Sequence, residues 1–517
     1  MKQFLRFVLA TVILLPVASP RASEPLQRNP SSASAPDAFT DRPNIVYILC
    51  DDLGHGDVHC LNPQRSRIPT PNLDRLAAEG MVLTEAHSSS SVCTPSRYSI
   101  LTGRYGWRTR LQYHVLGGNA PPLISEDRLT VPTLLKRHGY TTACIGKWHL
   151  GLSIPTPQEF STKKITDGPT TRGFDSFFGL SASLDGPPFA YIENDHFVEP
   201  PTVTKTFVRT GPAAPSFEAV DVLPTLTRKA VGFIGGAKSP FFLYLPLTSP
   251  HTPVVPSPEW QGKSGVGQYG DFVMQTDWVI GQIMAALDEA GVRDDTLLVV
   301  SSDNGFAPYV GLNRTGDMKL YAEIESVGHF PSADRRGYKS DIWDGGHRVP
   351  LIVRWPRKVK AGSTSDHLVS LTDLMATCAE MLGEKLPDTA GEDSVSMLPA
   401  LLGTADKPGR EAVVYHSIHG SFAIQRGRWK LILCPDSGGW SPPRRRTPEA
   451  RKLPPVQLYD TLADVGERDN QSDKHPEIVA QLTTLLETYV NEGRSTPGPR
   501  QENDVTVEIV KPERGEP

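Results

Sequence analysis

The 517-residue chain carries a formal net charge of −5 and 38% apolar residues, an ordinary globular composition with length for roughly two to four domains. A net negative charge excludes a broad nucleic-acid-binding face, so any anion site has to be a local cluster of cations. Six cysteines without a C-x-x-C pair exclude both a disulfide scaffold and a Cys-pair zinc or redox site.

At the N-terminus Lys2 and Arg6 precede the apolar run Phe7 to Ala18, which small residues such as Ser19 and Ala22 follow. That order predicts a secretory signal peptide over residues 1–22. The run falls short of the roughly 20 residues a bilayer span needs, so no stable membrane anchor is expected and the mature protein is read as secreted or periplasmic. Residues 23–41, rich in Ser, Ala and Pro, read as a disordered linker. Apolar runs then recur at NIVYILC, TTACIG, FFLYLPL, TLLVVSS and VPLIVRW, and their continuous hydrophobicity predicts strands buried on both faces. Between them lie helical patterns, TPNLDRLAAEG, TVPTLLKRHG and GDFVMQTDWVIGQIMAALDEAG, the last with Gly291 as C-cap. This alternation predicts an α/β fold over residues 42–405, with a large, mainly parallel central sheet flanked by helices. From 406 to 495 short strand patterns precede the helical PEIVAQLTTLLETYVNEG, predicting a small antiparallel sheet plus one helix. The insert Ser437–Pro455, with its basic run, reads as a solvated loop, and residues 496–517 as a disordered tail.

Polar clusters follow four of the strand patterns: Asp51 and Asp52; Lys147 and His149; His251; Asp303 and Asn304. Open α/β sheets bind ligands at the carboxyl ends of their strands, so four clusters in that position point to one site. Asp51, Asp52, Asp303 and Asn304 are hard oxygen donors with no histidine or thiol beside them in these motifs, a set suited to calcium or magnesium rather than zinc. Adjacent carboxylates repel unless a cation lies between them; the competing reading of Asp51 and Asp52 is that they cap a following turn. Arg97, Lys147, His149, His251 and Lys339 form a cationic set that, gathered round a metal, would hold a small anion. Singly, each reads as a surface lysine or a core histidine. Cys50 and Cys144 lie in apolar runs as small core residues, whereas Cys93 follows four serines in HSSSSVCTPSRYSILTGR.

CTPSR, Cys93 to Arg97, with TGR at 102–104, resembles the signature of the formylglycine-dependent type I sulfatases of the alkaline phosphatase superfamily. PNIVYILCDDLGHGD, GKWHLG, SPHTP, SSDNG and GYKSDIWDGGHRVP stand beside it in that family's order. The resemblance implies that Cys93 is converted to formylglycine by a sulfatase-maturating enzyme during export. It also implies one Ca2+, ahead of Mg2+, held by Asp51, Asp52, Asp303, Asn304 and the modified Cys93. One hydroxyl of the aldehyde hydrate would attack the sulfur of a sulfate ester, giving a covalent sulfo-enzyme. The second would lose a proton and expel sulfate by C–O cleavage. In the roles so implied, Arg97 orients the hydrate, Lys147 bridges it to the sulfate, and His149 is the base for elimination. His251 and Lys339 hold the sulfate and help protonate the leaving alcohol. The chain departs from the family at Asp344, where Glu is frequent. The segment from Ser96 is expected to start a helix facing the anion, and with Cys93 removed from the count at least one of the other five cysteines stays unpaired.

A sulfated carbohydrate or an aryl sulfate is the expected substrate, with the loops Leu184–Phe197 and Ser326–Arg336 as its rim or else as ordinary packing. The rival enzyme reading is a phosphodiester or phosphonate hydrolase of the same superfamily, against which stands Asn304 where a two-zinc site typically has histidine. A third reading is an inactive protein that binds sulfated glycans.

Overall fold

The computed structural model describes residues 42–405 and 409–511; the expected signal peptide, the linker and the end of the tail lie outside the described residues. Asn44–Asp51 sits at the middle of a ten-stranded sheet, parallel to Phe241–Pro250 on one side and Thr296–Ser302 on the other. Thr141–Lys147 and Ser176–Leu180 extend the parallel block beyond Phe241–Pro250. Every residue of the three central strands is buried, the condition under which strands read as unbroken apolar runs. Because these strands run the same way, their carboxyl ends meet along one edge. Helices Pro71–Glu79, Val222–Gly236 and Gly267–Glu289 pack together as one flanking group, and Cys93–Thr102, Val131–Arg137 and Leu374–Met381 as another.

Of the strands predicted from the sequence, one differs in direction. VPLIVRW forms Leu351–Arg354, which pairs antiparallel with Thr296–Ser302, since continuous hydrophobicity reports burial on both faces and not polarity. The sheet continues through the short strands Met81–Leu83 and Ser363–Ser365, too brief to leave a pattern.

Towards the C-terminus, Val413–His416, Phe422–Arg426, Trp429–Ile432 and Gln457–Asp460 form an antiparallel sheet in sequence order. Alternation along each strand splits its side chains between two faces. Val414, Ile424 and Leu431 meet Leu482 and Leu486 of the helix Pro476–Asn491 together with Trp107, while Val413, Ala423 and Ile432 meet Ile342 and Trp343. The small sheet is thus sealed between its own helix and the segment that carries Lys339. The tail, read from sequence as disordered, is instead tied down in its described part. Asp504 N–H donates to Arg108 O at 2.8 Å, Arg108 Nη1 donates to Asn503 Oδ1 at 2.8 Å, and Val507 and Ile509 pack on the small sheet's core. All six cysteines are unpaired. Among the described residues no helix is long and apolar enough to cross a membrane.

Candidate active site

At the shared strand edge Asp51 ends the first strand and Asp52 follows with φ of 66°. Lys147 ends its own strand, and His149, two residues on, has φ of 57°. His251 follows Pro250, and Asp303 and Asn304 follow Ser302. Lys339 arrives from a loop, next to Ser340 at φ of 84°. Left-handed backbone at a non-glycine residue costs on the order of 1–3 kcal/mol and persists only where its surroundings enforce it. Three such residues here mark an enforced geometry.

Cys93 opens the helix Cys93–Thr102, three residues before its expected start. Pro95 fits there because the first turn needs no N–H donor. Residues four apart share a helix face, so Cys93 and Arg97 both turn inward, each almost wholly buried. Cys93 Sγ lies 3.8 Å from Asp51 Oδ1.

Each carboxylate of the cluster has its own cation. Lys147 Nζ donates to both Asp51 oxygens, at 3.0 and 2.8 Å. Lys339 Nζ donates to Asp52 Oδ2 at 2.7 Å. Asp303 Oδ2 accepts from Arg97 Nε at 2.9 Å and lies 2.7 Å from Nη2. Burial works to raise the Asp51 carboxyl, but Lys147, His251, Arg97 and Lys339 outweigh it and hold the group well below the usual carboxylate range. Asp303 goes the other way: burial, opposed by Arg97 and reinforced by Asp51, pushes it up.

The donors fit one hard divalent cation. Asn304 Nδ2 donates to Asp52 Oδ1 at 2.7 Å and to Gly305 O at 3.0 Å, which leaves its Oδ1 buried without a partner among the described residues. An orphaned buried acceptor is costly, and a cation among oxygen donors would satisfy it. The motifs themselves hold only oxygen donors, yet the fold brings in a thiol and an imidazole: ligand atoms of Asp51, Asp52, Cys93 and His251 lie within 4.8 Å of one another.

The two histidines are held by different partners. His149 Nε2 is 2.7 Å from Leu116 O, so it carries the hydrogen, and Nδ1 is buried without a partner among the described residues. Burial, helped by Lys147 and Arg97, holds this ring well below the usual histidine range, leaving a neutral imidazole with a free lone pair, the form a base requires. His251 Nδ1 is 2.7 Å from Thr252 O, and its Nε2 faces Asp52 Oδ2 at 3.6 Å. Burial pushes the Cys93 thiol up to about 12, against the pull of Lys147 and Lys339. As a thiol it stays protonated and is a poor nucleophile.

A family model described as "Sulfatase" matches residues 43–384, and one described as "N-sulphoglucosamine sulphohydrolase, C-terminal" matches residues 337–437. The chain is 35% identical over 490 residues to an N-acetylgalactosamine-6-O-sulfatase of Bacteroides thetaiotaomicron, covering 87% of this chain and 93% of that one. The chain belongs to the sulfatase family. Human arylsulfatase A is 29% identical, covering 86% and 87% of the two chains. A solved Bacteroides thetaiotaomicron structure described in connection with glycosaminoglycan metabolism superposes with a TM-score of 0.76 at 34% identity, covering 87% of this chain and 99% of that one. The protein is therefore a sulfuric ester hydrolase on the alkaline-phosphatase-like layered fold.

Two residues beside this cluster escaped the sequence. Asp185 accepts from Ser183 Oγ at 2.6 Å and lies 4.0 Å from His251 Nδ1 and 3.7 Å from Arg209. Burial is overcome there by His251, Ser183 and Arg209, and the carboxyl falls below its ordinary value. The Leu184–Phe197 loop thus reaches the site through a residue that no spacing rule singles out. Tyr309 places its hydroxyl 3.3 Å from Lys339 Nζ. The Ser326–Arg336 loop instead backs the turn after Asp52. Pro331 O accepts from Gly56 N–H at 2.6 Å, and His329 Nε2 meets Asp57 Oδ1 at 2.8 Å. A Cβ on Gly56 would stand 2.1 Å from Phe330 O, which is why glycine is needed there. Asp344 lies outside the cation cluster, its Oδ1 2.7 Å from Lys430 Nζ of the small sheet.

Proposed function

We propose that this sulfatase acts with residue 93 as formylglycine and one Ca2+ held by Asp51, Asp52, Asp303, Asn304 and residue 93, on a sulfated carbohydrate. The observation that carries this reading is the set of three carboxylates, each ion-paired to a lysine or arginine, gathered round a buried residue 93 at a helix start. The ion would lower the pKa of an oxygen bound to it and offset ester charge. Formylglycine hydrate would supply one hydroxyl to attack sulfur and a second to release sulfate, a division into two easier steps.

The chain's own side chains do the rest. Arg97, fixed by Asp303, orients residue 93. Lys147 stands between residue 93 and the incoming sulfate, and Lys339 and His251 offer donors to its oxygens. His251, with Nδ1 held by Thr252 O, is placed to protonate the leaving alcohol. His149, neutral with a free Nδ1, takes the proton that sulfate release requires. The sugar substrate is supported by the N-acetylgalactosamine-6-O-sulfatase relative. Export to the periplasm or beyond, and modification on the way by a sulfatase-maturating enzyme, follow from the same reading.

Mass spectrometry of the peptide containing Cys93, from protein made in a host that carries a maturating enzyme, should find the aldehyde; an unmodified thiol in fully active protein would overturn the mechanism. Sulfated mono- and oligosaccharides, p-nitrophenyl sulfate, and phosphate mono- and diesters should be turned over in that order of preference. A clear preference for the phosphate esters would favour the phosphodiesterase reading instead.

A further inference from the structure

The insert opening at Ser437 reads in sequence as a solvated loop, but its first turn is seated beside Lys339. Trp440 N–H donates to Ser340 Oγ and Asp341 Oδ1, both at 3.0 Å, and Ser441 N–H donates to Asp341 Oδ1 at 3.1 Å. Ile342 N–H donates back to Ser437 O at 2.8 Å. A Cβ on Gly439 would come within 2.4 Å of Ser340 O, so the close approach depends on glycine. The Trp440 backbone is thereby fixed to the residue next to Lys339. Its ring stands 5.8 Å from that of Tyr309, inclined at 56°, and the Tyr309 hydroxyl touches the Lys339 ammonium at 3.3 Å. Both rings are partly exposed. An aromatic strip therefore leads outward from a cation assigned to the sulfate.

Such rings offer large, rigid apolar faces, and small-molecule sites pair apolar walls with a few placed polar groups. The axial C–H face of a pyranose matches an aromatic wall, while its sulfate matches Lys339. We propose that Tyr309 and Trp440 form the wall on which the sulfate-bearing sugar ring stacks, so that the C-terminal insert completes the substrate site and sets the preference for sugar esters. This rests on the reading of Lys339 and His251 as sulfate ligands.

The test is steady-state kinetics of Trp440→Ala and Trp440→Phe on N-acetylgalactosamine 6-sulfate, or on whichever sulfated monosaccharide the wild type cleaves best, with inorganic sulfate as competing inhibitor. Trp440→Ala should raise KM roughly tenfold, in line with the value of an aromatic contact, with kcat nearly unchanged and inhibition by sulfate unaltered. Trp440→Phe should recover most of the loss. An unchanged KM in Trp440→Ala overturns the proposal, as does sulfate inhibition that weakens in step with KM, because the insert would then only shape the loop of Lys339. A wild type that cleaves aryl sulfates and no sulfated sugar rejects instead the substrate reading on which the proposal stands.

Discussion

His149 and Lys147 lie two residues apart at the end of one strand, yet they carry different loads. Lys147 neutralises a fully buried Asp51, whereas His149 is in no ion pair among the described residues and meets the protein through Leu116 O. Removing one partner of a buried pair strands the other charge, at a cost of about 3–5 kcal/mol. Losing one oriented donor or base costs roughly a hundredfold in kcat. His149→Ala should therefore lose on the order of a hundredfold in kcat with little change in thermal stability, and Lys147→Ala should lose both. The two readouts are turnover and thermal unfolding of the same preparations; near-wild-type turnover in His149→Ala would remove it from the mechanism. That these residues lie together was legible in the sequence, because polar residues just after buried strands have only one edge to share. Asp185 was not legible, since only the folded Leu184–Phe197 loop brings it to His251.

The join between the parallel sheet and the small antiparallel sheet includes buried polar groups beside its apolar seal. Lys430, on Trp429–Ile432, bonds Asp344 at 2.7 Å and Glu467 at 2.7 Å. His416, ending Val413–His416, meets Ser90 Oγ through Nδ1 at 2.9 Å. Burial, helped by the charge of Lys511, lowers the His416 pKa to about 3, against about 6.5 in an unfolded chain. A depressed folded value means that the unfolded chain takes up the proton first. This contribution to stability is complete above the unfolded pKa and is lost as pH falls from about 6.5 towards the folded value, at about 1.4 kcal/mol per pH unit. His55, His87 and His347 are lowered by burial in the same direction, so the fold should weaken steeply on the acid side. Urea unfolding followed between pH 7 and pH 5 should show a slope for His416→Asn that is shallower by about one proton; an unchanged slope would mean that His416 is not held neutral. The small sheet itself was legible from its short strands and closing helix. Its seal against Ile342 and Trp343 was not, because the apolar residues on its second face read only as a strand's other side.

For the whole molecule, length, charge and periodicity were enough to read a layered α/β fold whose polar clusters share one edge. Parallel strands buried on both faces leave unmistakable apolar runs, and ligand groups gather at their carboxyl ends. What remained unread depends on contacts between distant segments: the reversed direction of Leu351–Arg354, the docking of the described tail on Arg108, and the turn of Trp440 against Ser340. The proposed cation belongs to the same scale, because its candidate donors come from the ends of the first strand and of Thr296–Ser302 and from the helix of Cys93. Without an ion, Asp51, Asp52 and Asp303 balance Arg97, Lys147 and Lys339 one for one. A divalent ion would turn that balance positive and suited to an anionic ester. Binding only to the folded chain, calcium at about a hundred times its dissociation constant adds about 2.7 kcal/mol of stability, worth a few degrees in the unfolding midpoint. Calcium added after chelation should raise Tm by that amount and restore turnover. Asn304→Ala, which removes the orphaned amide oxygen, should shrink the calcium-dependent shift while the chelated forms of the two proteins unfold at similar temperatures. A wild-type midpoint and turnover indifferent to both chelator and calcium would rule out the cation; a full shift retained in Asn304→Ala would remove that residue from the site.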